Sequence, residues 1–91
     1  MTAASAWGQE IHAAGQCAVC GRTDGLEAHH IIHRNHHATA NDPRVGILLC
    51  ADHHRGLWSA HNKPRWFMAW LAKHRPKQAA WVEANRWKIV K

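Results

Sequence analysis

The chain has 91 residues, a formal charge of +6 and three cysteines. That length buries only a thin core, so a bound metal or a disulfide set is expected to assist it, and the odd cysteine count argues against a complete disulfide framework. The metal spacing of the cysteines points to a reducing compartment, and a cytoplasmic setting is expected; no apolar run approaches the length of about 18 residues that a membrane-spanning helix needs, and residues 1–16 lack the basic start and apolar stretch of a secretory signal.

In chain order, residues 3–14 predict a helix. Thr2 or Ser5 can cap it, Trp7 and Ile11 stand four apart, and Gly15 suits the position just past its end. Gly21, Asp24 and Gly25 mark turns, Leu26 to Ile32 predicts a short strand, and Arg34 to Arg44 reads as a polar loop. Val45 to Leu49 is β-branched and apolar and predicts a second strand. Ala51 to His61 predicts a helix with Asp52 favourable near its N-terminus. Asn62 is expected to cap the next helix, with Lys63 and Pro64 in its first turn and Trp66, Phe67, Trp70 and Leu71 at helical spacing. Of these, Trp66 and Trp70 are expected to fill the core. Pro76 separates a last helix carrying Ala80, Trp81 and Val82, with Trp87 near its end.

Every cysteine falls in a ligand-spaced motif. Cys17-x-x-Cys20 and Cys50-x-x-His53 together offer four nitrogen and sulfur donors, the set that Zn²⁺ takes in a closed tetrahedron. The expected zinc is structural and contributes directly to folding. The 29 residues between Cys20 and Cys50 exceed the span of a simple finger, so a further element is inserted there.

Ten histidines are a large excess for this length. With His53 assigned to zinc, His29, His30 and His54 bracket the same motif. Phosphodiester hydrolysis needs an activated water, neutralised phosphate charge and a stabilised leaving oxygen, and imidazoles with a divalent ion can divide these tasks. His33, His36 and His37 read as a solvated loop, and His12 and His74 as structural. Charge is also uneven. Eight Lys or Arg residues lie from Lys63 onward against one acid, Glu83, while the first 62 residues hold four basic and five acidic side chains. Lys63, Arg65, Lys73, Arg75 and Lys77 are the candidate DNA-backbone contacts. A solvated helical face is the competing reading.

Leu-Glu-Ala-His-His-Ile-Ile followed by Gly-Ile-Leu-Leu-Cys-x-x-His-His resembles the HNH endonuclease family, and more narrowly small HNH proteins encoded by phages and prophages. The resemblance covers about residues 16–62. It implies an α+β fold: a small ββα-metal core stapled by the structural zinc, here with an N-terminal helix and two C-terminal helices. One domain, 1–91, would comprise this core and a basic, Trp-rich helical extension over 63–91. By the resemblance His30 is the general base, and His29 and His54 hold a catalytic divalent ion. His61, seven residues past His54, is a further candidate as ligand, phosphate contact or helix cap. Nitrogen donors favour Ni²⁺, Co²⁺ or Zn²⁺, with Mg²⁺ and Mn²⁺ open where phosphate and water complete the shell. The family's middle motif residue, an Asn that braces the loop and orients the base, is replaced by Val45. Asn41, four residues upstream, is the candidate substitute.

The expected function is metal-dependent hydrolysis of duplex or branched DNA, in the cytoplasm of a bacterium that carries a phage or prophage. The alternative is a non-catalytic zinc module that binds nucleic acid. A third reading makes the Trp-rich helices a protein-interaction surface.

Overall fold

The computed structural model describes residues 6–36 and 38–86. The caps expected at Thr2 and Ser5, the first three residues of the expected N-terminal helix, His37 and Trp87 lie outside the described residues. Among the described residues, four helices and a two-stranded antiparallel sheet follow in the order α1 (Ala6–His12), β1 (Leu26–His30), a 3₁₀ turn (Pro43–Val45), β2 (Gly46–Cys50), α2 (Ala51–Arg55), α3 (Pro64–His74) and α4 (Pro76–Arg86).

The register pairs Leu26 with Cys50 and Glu27 with Leu49 at one end, and His29 with Ile47 and His30 with Gly46 at the other. Side chains alternate across a strand, so Glu27, His29, Ile47 and Leu49 share one face while His30 and Leu48 take the other. Each face has its own small core. Ile47 and Leu49 pack with Cys17, Cys50, Ala60, Phe67 and Leu71. Leu48 packs with Trp7, Ile11, Ile32, Val45 and Val82. A chain of this size burying two thin cores on one hairpin depends on every helix that covers it.

Several expected boundaries move. The N-terminal helix ends at His12, and Gly15 takes the positive φ of 78° expected past it. β1 stops at His30, after which Ile31 N–H still reaches the Val45 carbonyl at 2.8 Å. Val45 belongs to the 3₁₀ turn, whose start is capped by the Asp42 side chain accepting from Arg44 N–H, and β2 begins one residue later. The helix expected over Ala51 to His61 is only Ala51–Arg55. Gly56 ends it by donating to the Asp52 carbonyl, in a place where a Cβ would lie 2.5 Å from that oxygen.

Asn62 does not cap α3. Its amide donates backwards, to the carbonyls of Arg55 at 3.1 Å and Gly56 at 2.6 Å, and so satisfies the open C-terminal end of α2. Lys63 takes the N-cap place of α3 and Pro64 its first position, where the missing N–H is no loss. Phe67 and Leu71 are the fully buried residues of α3, whereas Trp66 and Trp70 are half-buried against that core. Val82 anchors α4, and Gln78 ties it to the sheet by donating to the carbonyls of Arg44 and Gly46 at 2.9 and 2.8 Å.

Candidate active site

Two turns bring the four cysteine-motif residues together. The chain reverses over Cys17 to Arg22, with Gly21 N–H on the Cys17 carbonyl and Cys17 N–H on the Arg22 carbonyl. Cys50 and His53 come from the end of β2 and the first turn of α2. Arg22 then reaches Asp52 at 3.2 Å, fastening the reversal to the helix. Sγ of Cys17 lies 3.9 Å from Nδ1 of His53, Sγ of Cys50 lies 3.3 Å from the same nitrogen, and Sγ of Cys20 and Cys50 are 3.8 Å apart. Bonds of about 2.3 Å to sulfur and 2.1 Å to nitrogen in a tetrahedron place ligand atoms roughly 3.5–3.8 Å apart, so the four donors fit one metal ion.

The thiols themselves argue for a cation. Burial works against ionising Cys17, but backbone N–H groups at Cys50, Cys20 and Val19 outweigh it and bring this thiol down to about 6. Cys20 moves up: the Arg22 backbone favours its thiolate, but desolvation and the neighbouring Cys17 and Cys50 sulfurs prevail. A positive ion held among these sulfurs would favour the thiolate form of both Cys17 and Cys20.

A second cluster lies on the Glu27–His29 face. One ring nitrogen from each of His29, His54 and His61 falls within 4.8 Å of the others. Nε2 of His54 and His61 are 3.1 Å apart, the spacing of neighbouring nitrogens around a cation. His61 does not ride on the helix two turns beyond His54. It arrives through the loop after Gly56, where Ala60 and His61 N–H groups donate to the His53 and His54 carbonyls. His29 is half-buried, and its desolvation, with His54, His61 and His30 nearby, pushes its imidazole down to about 3. It is therefore neutral at pH 7, with a lone pair to offer.

Glu27 stands behind this cluster, and nothing in its spacing singles it out in the sequence. Its carboxylate accepts from His54 Nδ1 at 2.6 Å and from Arg55 at 2.7 and 3.0 Å. Hydrogen bonds from Arg55 and then His54 hold it well below the usual carboxylate range. With Nδ1 donating to Glu27, the His54 lone pair sits on Nε2, which faces His61. The carboxylate–histidine pair thus sets the tautomer that ligation requires.

His30, on the opposite face, turns its Nε2 onto the Ala40 carbonyl at 2.9 Å. A carbonyl only accepts, so Nε2 carries the hydrogen and Nδ1 the lone pair. The ring lies flat on the Trp7 indole, 3.7 Å between centroids and 14° between planes. At the end of β1 the two faces meet in a cleft of about 300 Å³ lined by Ala28, His29, His30, His33, Arg34, His54 and His61. It continues past Pro64 and Phe67 to Arg86. His33 and Arg34, read as loop residues from the sequence, border it. Val45 is fully buried, and Asn41 is exposed with no side-chain hydrogen bond among the described residues.

The basic candidates divide. Lys63, Arg65, Lys73, Arg75 and Lys77 are all exposed. Lys63 adjoins Pro64 at the cleft, whereas Arg75 lines a separate depression with Glu10, Ile11 and Gly46.

A protein-family model described as HNH endonuclease matches residues 17–62, half of the chain. No curated protein and no solved structure matches it.

Proposed function

The chain belongs to the HNH endonuclease family, and on that premise we propose that it is a metal-dependent DNA endonuclease with His30 as general base. The observation that carries this reading is the juxtaposition, in one cleft, of a three-imidazole cluster and a fourth imidazole whose Nε2 is already committed to a backbone carbonyl.

In this reading Nδ1 of His30 takes a proton from the attacking water, whose oxygen forms the new bond to phosphorus as the 3′ oxygen leaves. His29, His54 and His61 hold a divalent ion, which when bound neutralises charge on the scissile phosphate and the leaving oxygen. Glu27 keeps His54 in the ligating tautomer. Arg34 and Arg86, at the cleft wall, would contact backbone phosphates. Cys17, Cys20, Cys50 and His53 hold a structural zinc that staples the hairpin to α2.

The test is plasmid cleavage across Mg²⁺, Mn²⁺, Ni²⁺, Co²⁺ and Zn²⁺, run beside His30→Ala. Loss of the base should slow cleavage by roughly 10²–10⁴ with tightly bound zinc and DNA affinity unchanged. If His30→Ala cuts like the parent, His30 is not the base. If the parent cuts under none of these conditions yet binds DNA, the non-catalytic zinc module replaces this reading.

A further inference from the structure

The expected asparagine brace is absent, yet His30 is held. We propose that Trp7, from a helix outside the family-matched segment, is the residue that positions His30 for catalysis, taking over the work of the missing motif asparagine. This rests on His30 being the base.

Three observations converge on Trp7. Its indole face lies parallel to the His30 ring at 3.7 Å, which blocks rotation of the imidazole towards α1. Its Nε1–H donates to the Asp42 carbonyl at 2.9 Å across 35 residues of sequence. Asp42 is two residues from Ala40, whose carbonyl holds His30 Nε2, so the same indole fixes the ring from one side and its loop anchor from the other. The Asp42 carbonyl also accepts from Val45 N–H at 3.0 Å, and the Asp42 side chain caps the 3₁₀ turn. The loop that carries the anchor is thereby tied at its exit to α1 and closed by the 3₁₀ turn that leads into β2.

The sheet makes room for this arrangement. His30 pairs across the hairpin with Gly46, so no cross-strand side chain covers that end of the face. A Cβ on Gly46 would lie 2.6 Å from Cζ2 of Trp7 and 2.5 Å from Cδ1 of Ile11. Only glycine lets α1 approach closely enough for the indole to reach the imidazole. Val45, fully buried in the core on this face, has no side-chain donor or acceptor, and exposed Asn41 makes no side-chain hydrogen bond among the described residues.

Trp7 is buried, so its deletion threatens the fold. The discriminating replacement is benzothienylalanine at position 7, which keeps ring shape and stacking but cannot donate to Asp42. Trp7→Phe keeps a smaller stacked ring without the donor. Metal-loaded enzyme should lose about 10–10²-fold in kcat in either protein, with KM for DNA within about twofold of the parent. Histidine ¹⁵N NMR supplies a readout independent of turnover: His30 is a pure Nε2–H tautomer in the parent and a mixture in the Trp7 proteins. Unchanged kcat and unchanged tautomer in the benzothienylalanine protein overturn the proposal, as does a kcat loss in Asn41→Ala that the Trp7 proteins do not share. His30→Ala separates the two levels of inference. If it cleaves normally, the base assignment has failed; if it is inactive while both Trp7 proteins cut normally, only the positioning role has failed.

Discussion

Glu27 shows how much one side chain can decide. It spans His54 and Arg55, so a single carboxylate sets the tautomer of a candidate ligand and pins the end of α2. Outer carboxylates of this kind typically contribute about 10–100-fold in metal affinity. Glu27→Ala should therefore weaken Ni²⁺ or Co²⁺ binding at the histidine cluster by about that factor, read by calorimetric titration of zinc-loaded protein. The tightly held zinc should stay at one per chain. An unchanged titration would mean that His54 either does not ligate or needs no orienting partner.

Among the elements, α2 is the one on which both clusters depend. His53 and His54 leave it in different directions, one towards the cysteines and one towards His29 and His61. The helix is five residues long with no buried residue and no side-chain cap at its start, so its own propensity contributes little. Its order comes from the cysteine cluster, Arg22, Glu27 and Asn62. Cys50→Ser should accordingly abolish zinc retention and unfold the chain near ambient temperature, a loss on the order of several kcal/mol, seen as a vanished thermal transition in circular dichroism. A metal-free protein with the parental melting curve would remove zinc from the account of the fold. The ligand motifs and both strands were legible in the sequence, because cysteine spacing, the turn residues before Leu26 and the apolar run into Cys50 are local signals. The end of α2 was not. Gly56 stops the helix, and Asn62, a residue that caps forwards or backwards with equal chemistry, closes it from behind. That choice depends on where the loop returns. The contact of Trp7 with His30 was equally hidden, since it depends on a glycine opposite His30 in a register that only the folded hairpin defines.

For the molecule as a whole, basic residues matter by position. Arg34 and Arg86 border the histidine cleft, while Arg75 lies in a separate depression beside α1 and β2. DNA seated at the cleft should meet the first two. Each phosphate contact adds about −0.9 to the slope of log affinity against log salt on duplex DNA. Arg34→Ala should flatten that slope by about 0.9 and Arg75→Ala should leave it nearly unchanged, as measured by fluorescence anisotropy over a salt series. Equal effects would place the nucleic acid on a different surface.

The two covers of the hairpin carry a consequence for portability. Residues 17–62 contain every candidate ligand and the candidate base, but Trp7, Ile11 and Val82 roof one face of the sheet and Phe67 and Leu71 the other. All five lie outside the segment that matches the family. A graft of 17–62 into a foreign scaffold would transfer the chemistry's vocabulary without its grammar: the donors would travel, and the surfaces that hold them in register would stay behind. Anyone borrowing this domain as a cutting module must therefore move α1, α3 and α4 with it, or rebuild both roofs in the host.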